Sequence, residues 1–123
     1  MGELKVLKLK DGDDVLESLK DFALKNNITQ AYIKEAEGKI KDFEISSFAG
    51  RGSIENIKDR HSAEVIAING QIRGSGERLS IDLKVSLARP GLSAISGVLL
   101  TAKVAESLEI AVQKSDVGKI IYA

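Results

Sequence analysis

The sequence predicts a single α+β domain in which a mostly antiparallel β-sheet packs against one main helix. Only residues 13–25 show a helical repeat of apolar residues. Several other stretches alternate between apolar and polar residues with a period of two, which is typical of half-buried strands. Short turns join these stretches, and 43% of the 123 residues are hydrophobic. We therefore expect one domain over residues 1–123, built around one core.

The N-terminal segment, residues 3–10, is predicted to be an edge strand. Its apolar residues alternate with lysines, although the alternation slips near Leu7. Lysine on an exposed edge discourages pairing with other chains. The alternative is that these lysines contact nucleic-acid phosphates. The lysines are Lys5, Lys8 and Lys10.

The helix is predicted to begin in an acidic segment and to end near residues 26–27. Asp11 is expected to be the N-cap, and Asp13 and Asp14 suit the positive end of the helix dipole. The two asparagines at the other end are suited to a left-handed stop. The carboxylates lack the regular ligand spacing of a calcium loop. The apolar face consists of Val15, Leu19, Phe22 and Ala23.

Residues 28–37 and 39–48 are predicted to form two strands separated by Gly38. The alternation changes phase between Ile40 and Phe43, which indicates a β-bulge.

Residues 49–62 are predicted to form a long irregular loop. Arg51 and Gly52 resemble the centre of a minor-groove DNA hook, but the usual Arg-Pro does not follow. His61 is the single histidine, and one histidine cannot supply a zinc site by itself. We expect it to be a solvated loop residue.

The second half of the chain is predicted to contain three or four strands. Residues 63–72 are nearly all apolar, which favours a central strand, and residues 74–77 form a turn into residues 80–88. After the turn at Pro90, residues 94–100 form a second apolar run, and residues 101–105 are predicted to be a connection. The last strand covers residues 107–112, and the apolar tail at residues 120–122 needs a partner surface.

Composition excludes several classes of function. Eighteen basic and eighteen acidic residues give no net charge, unlike a dedicated nucleic-acid binder. Without cysteine there is no disulfide or thiolate chemistry. No apolar run reaches the roughly 20 residues of a membrane helix, and the N-terminus lacks a signal-peptide pattern. We expect a cytoplasmic protein that has no membrane partner.

Five short segments form an ordered set: Gly12–Leu16, Ala63–Gly70, Leu83–Ala88, Ser96–Leu99 and Glu109–Ile110. Taken together, they resemble the PPC domain that plants and prokaryotes share. The resemblance extends over about residues 6–112 and implies an α+β protomer that assembles into a homotrimer. In plants this domain follows AT-hook motifs and mediates assembly and partner contacts, whereas stand-alone prokaryotic members are regarded as DNA-binding proteins.

The sequence departs from the family where typical members carry three histidines able to hold a metal. Asp82, Lys84 and Val98 stand at those positions. An ammonium group cannot ligate a cation and valine has no donor atom, so we predict no bound metal and no other cofactor. We expect Lys84 to pair with Asp82, or with Glu64 or Glu109 across the sheet.

The predicted function is that of a non-catalytic homotrimeric assembly and interaction module associated with DNA or transcription. One helix cannot cover a sheet of six or seven strands, so the bare apolar face is expected to meet another protomer. The alternative is a small-ligand-binding protein or an enzyme using a cleft formed by Glu64, Asp82, Lys84 and Glu109. Any DNA partner is expected to bind weakly and with strong salt dependence. The residues expected to contact DNA are Lys5, Lys8, Lys10, Arg51, Lys58 and Arg60.

Overall fold

The computed structural model describes residues 3–48 and 54–115, which form one six-stranded sheet and one α-helix. This confirms the predicted fold class. A short 3₁₀ turn, Gly76–Arg78, joins the fourth and fifth strands. The elements are β1 (Leu4–Lys10), α1 (Val15–Lys25), β2 (Gln30–Phe48), β3 (Ile54–Asp59), β4 (Ala63–Arg73), β5 (Ser80–Ala88) and β6 (Ile95–Lys114).

The strands are antiparallel throughout and follow the order β1-β6-β5-β4-β2-β3. An additional pairing joins β6 to β2, so that β2, β4, β5 and β6 form a closed circuit. β1 and β3 lie at the two ends of the order, and each pairs with one strand. The prediction that β1 is an edge strand is therefore confirmed.

The core forms where one face of the sheet meets α1. Val15, Leu19 and Ala23 of the helix are buried, and Phe22 is partly buried, as the helical repeat predicts. Among the described residues, every strand except β3 contributes buried apolar residues. Within the described residues, no helix combines the length and apolar character that a membrane crossing needs.

The caps of α1 differ in one respect from the prediction. Asp14, not Asp11, is the N-cap: its Oδ1 accepts a hydrogen bond of 2.9 Å from the backbone N–H of Glu17. Asp11 instead contacts the sheet, where its carboxylate accepts the N–H of Glu106 at 2.7 Å. At the other end, Asn27 adopts a φ of 52° and confirms the left-handed stop.

β2 is one strand of 19 residues, and not the two strands predicted around Gly38. Gly38 has a φ of 139°, and a Cβ at this position would lie 2.2 Å from the carbonyl oxygen of Ser107. The glycine therefore lets β2 approach β6 closely without ending the strand. The bulge predicted between Ile40 and Phe43 is confirmed, because the register shifts beside Asp42, whose φ is 45°.

β6 is also longer than predicted, at 20 residues. The expected connection over residues 101–105 is part of the strand, and the chain bends locally at Glu106, whose φ is 67°. The predicted loop over residues 49–62 likewise contains β3, which pairs with residues 43–48 of β2. Two sequence interpretations lie outside the described residues: the Arg51–Gly52 hook and the tail at residues 120–122.

Candidate functional site

The candidate site is a groove of about 600 Å³ on the outer face of the sheet, where β4, β5 and β6 lie side by side. The alternation of β5 creates it. Leu83 and Val85 are buried in the core, so Lys84 and Ser86 face the other side of the strand.

Strand register places Lys84 in the middle of this groove. Its Cα partner on β4 is Asn69, and its partner on β6 is Val98. The next outward position of β5 is Ser86, which lies opposite Ser96, and their hydroxyl oxygens are 2.7 Å apart. Among the described residues that line the groove, Lys84 is the single charged one.

The four residues expected to share a cleft do not come together in the protomer. Lys84 lines the groove just described, which we call the Lys84 groove. Glu109 lines a neighbouring groove, and Glu64 lines a third one near Pro90. Asp82 lies opposite Gln71, beyond the residues that line the Lys84 groove.

The predicted ion pair of Lys84 is also not formed. Among the described residues, neither Lys84 nor Asp82 takes part in a salt bridge. The two are separated by roughly 7 Å along the strand, at about 3.3 Å per residue.

The residues at the family's metal positions do not fit a metal ion. Lys84 and Val98 face each other directly across the strands, and neither offers a ligand atom. Asp82 supplies one carboxylate, which is too few donors for a structural or catalytic cation site. The described part of the chain holds no cluster of three or more His, Cys, Asp or Glu residues suited to a metal.

A second groove, of about 550 Å³, adjoins the first and shares Ala67 and Ile68 with it. It is lined in part by Val6 of β1 and Ile66 of β4. These side chains are 51% and 56% exposed, and Leu4 beside them is 60% exposed. The outer face of the sheet therefore presents large apolar side chains to solvent in the protomer.

The basic residues predicted to contact nucleic acid do not form one strip. Lys5 alternates onto the side of β1 that carries buried Leu9, whereas Lys8 and Lys10 lie on the opposite side. Lys58 belongs to β3, at the other end of the strand order, and its ammonium is 4.0 Å from the carboxylate of Glu44. Arg60 is exposed just after β3, and Arg51 lies outside the described residues.

One polar cluster was not predicted from the sequence. Asp59 Oδ1 accepts the backbone N–H of His61 and lies 2.9 Å from its Nδ1, while Arg89 Nη1 is 3.9 Å from Asp59 Oδ2. The His61 backbone N–H and then its ring hold the pKa of Asp59 below its usual value. The His61 side chain is 92% exposed, in agreement with a solvated loop residue. The sequence of β3 predicts a loop, so no strand pattern points to this contact.

The sequence profile of the Plants and Prokaryotes Conserved (PCC) domain matches residues 1–116. None of the curated proteins matches the chain.

Solved structures share the fold at low sequence identity. A suspected DNA-binding protein from Bacteroides thetaiotaomicron has a TM-score of 0.80 and 20% identity, and the match covers 94% of this chain and 81% of that one. A PPC protein from Pyrococcus horikoshii has a TM-score of 0.77 and 21% identity, and the match covers 93% of this chain and 80% of that one. A metal-containing protein from Archaeoglobus fulgidus has a TM-score of 0.77 and 19% identity, and the match covers 92% of this chain and 79% of that one.

Proposed function

The chain belongs to the Plants and Prokaryotes Conserved (PCC) domain family, the PPC domain, and we propose that it is a non-catalytic homotrimeric assembly module that contacts DNA or a DNA-associated protein. The observation that carries this proposal is the uncovered apolar outer face of the sheet. The trimer is what the family resemblance implies, and the face supplies a surface for it.

Of the seven exposed large apolar residues among those described, Leu4, Val6 and Ile66 lie on this face, where a second copy can bury them. Val6 and Ile66 come from different strands, yet they line the same groove. Burying a large aliphatic side chain stabilises a contact by roughly 1.5–3 kcal/mol, before the entropy of association is subtracted. Apolar faces of this kind mark protein contacts more often than free surface.

The proposed contact with DNA rests on the family and on neighbours of the same fold. One neighbour is named as a suspected DNA-binding protein. The chain itself has no net charge, which argues that any contact of a single protomer with DNA is weak. A partner protein that binds DNA directly fits this charge balance better than tight binding by the module alone.

Light scattering on the purified protein tests the assembly. We expect a mass of about three times the 13.2 kDa protomer mass. Ile66→Glu introduces a carboxylate on the outer face and is expected to shift the protein to monomers, because burying an unpaired charge is costly. Since Ile66 is exposed in the protomer, circular dichroism should show an unchanged fold.

Leu24→Glu is the matched control, because Leu24 is 44% exposed on α1 and away from the outer face. It should leave the mass unchanged. A wild-type monomer at all concentrations would refute the assembly. If the Ile66→Glu variant still has the mass of a trimer, the contact between protomers lies on another surface.

A further inference from the structure

We propose that the Lys84 groove is a binding site for a small organic anion, with Lys84 Nζ holding the carboxylate or phosphate group of the ligand. This inference concerns a site lined by residues of one protomer and does not depend on DNA. The groove lies on the same face of the sheet as the proposed protomer contact and shares Ala67 and Ile68 with the adjoining groove, so it requires that the contact at Val6 and Ile66 leaves the Lys84 groove open.

Charge is the first argument. Within the part of the chain that the structure describes, Lys84 is the single charged residue that lines the groove, and it forms no salt bridge there. A lysine ammonium is a compact charge with three donors and no acceptor. A groove whose walls carry one positive charge and no negative charge attracts anions, even when the whole chain is neutral.

Hydrogen-bonding groups are the second argument. Asn69, directly across from Lys84, carries an amide with two N–H donors and makes no side-chain hydrogen bond within the described residues. In the Ser86–Ser96 pair one hydroxyl donates to the other, which leaves the second O–H available to a ligand. Lysine, amide and hydroxyl donors thus line the same groove, as a carboxylate or phosphate group requires.

Size and surface chemistry are the third argument. The volume of about 600 Å³ is within the range of roughly 300–1,000 Å³ that is usual for small-molecule sites. Val98 and Ala67 add apolar surface beside the donors. This combination favours an anion with an apolar part over a bare inorganic ion. It also favours a small molecule over a nucleic-acid phosphate, since the neutral protein does not concentrate a polyanion.

The donor set also explains why this groove is not a cation site. Where the family resemblance implies three histidines, the chain presents a lysine facing a valine.

The test is to titrate the protein with each probe and to monitor binding through the NMR spectrum of its backbone amides. The probes are phenyl phosphate and benzoate, with benzyl alcohol as the uncharged analogue. We expect saturable shifts centred on residues 84–86 and 96–98 for both anions, and none for the alcohol. Lys84→Gln should weaken the binding of both anions by at least about tenfold.

Lys103→Gln is the matched control, because Lys103 is an exposed lysine of β6 that does not line the groove. It should leave both affinities unchanged. Equal losses in the two variants, saturable binding of benzyl alcohol, or no saturable shift with either anion would overturn the proposal. Zinc binding at the same amides would also overturn it, as would tighter binding there by a short DNA strand than by phenyl phosphate.

Discussion

At the scale of single residues, Lys84 shows what a strand pattern determines and what it leaves open. The period of two correctly predicts that Lys84 points away from the core, because Leu83 and Val85 are buried on the other side. It does not determine which carboxylate an outward side chain meets. That depends on the register with β4 and β6, which brings Asn69 and Val98 next to Lys84.

Removing Lys84 should therefore cost little stability. The sequence predicts a loss, because paired carboxylates would be left alone. In the structure the lysine is exposed and unpaired among the described residues, so Lys84→Ala should change the free energy of unfolding by about 0.5 kcal/mol or less. Denaturant unfolding measures this change. A loss above about 1 kcal/mol would indicate a buried pair after all.

Asp11 provides a second prediction for a single residue. The backbone N–H of Glu106, and then the ammonium of Lys41 at 3.1 Å, hold the pKa of Asp11 below its ordinary value. Because the pKa is lower in the folded state, the ionised carboxylate contributes stability above the unfolded pKa. That contribution is lost as the pH falls through the folded pKa.

Asp11→Asn should therefore lower stability near neutral pH, and the difference from the wild type should shrink in acid. Asparagine keeps an acceptor oxygen, so the variant isolates the effect of the charge. Asp21→Asn, on an exposed part of α1, is the control for removing one surface carboxylate, and it should change stability near neutral pH less than Asp11→Asn does. Thermal unfolding across a pH series measures the difference. A difference that persists unchanged in acid would contradict the assignment.

At the scale of elements, the sequence predicts α1 and the outward and inward faces of β5, since both depend on local periodicity. It fails where one strand runs through an irregularity. Gly38 and Glu106 interrupt the pattern of β2 and β6, and glycine within a run normally indicates a turn. Pairing between these two long strands keeps both extended through the irregularity, and such pairing is not visible in either segment alone.

Gly38→Ala should be strongly destabilising. Its φ of 139° is unfavourable for alanine, and the new Cβ would lie 2.2 Å from the backbone oxygen of Ser107. Backbone cannot move aside cheaply, so we expect a loss of about 2 kcal/mol or more in denaturant unfolding.

Gly12→Ala separates the two causes. Gly12 also has a positive φ, of 87°, but a Cβ added there would have no neighbouring atom within 4 Å. The variant should lose about 1 kcal/mol, from backbone strain alone. Equal losses at the two glycines would show that the contact with Ser107 is not what requires Gly38.

At the scale of the whole molecule, the periodicity of apolar residues correctly predicts a mixed α and β domain, but the composition does not predict how the charges are arranged. The lysines of β1 and the basic residues near β3 belong to opposite ends of the strand order. Two of these residues are close to carboxylates: Lys5 is 3.5 Å from Glu3, and Lys58 is 4.0 Å from Glu44. One protomer therefore offers scattered positive charges in place of a continuous basic surface.

DNA binding by the module alone should accordingly be weak and non-specific. We expect a dissociation constant of about 10⁻⁶ to 10⁻⁴ M at physiological salt, as for non-specific binding, with little preference among duplex sequences. The affinity should fall steeply as salt is raised, because counterion release would drive the contact.

Replacing Lys8 and Lys10 together by glutamine should weaken binding and flatten the salt dependence. Replacing Lys20 on α1 should change neither. Fluorescence anisotropy with labelled duplexes at several salt concentrations measures both quantities. Nanomolar affinity with a clear sequence preference at physiological salt would be incompatible with this charge arrangement.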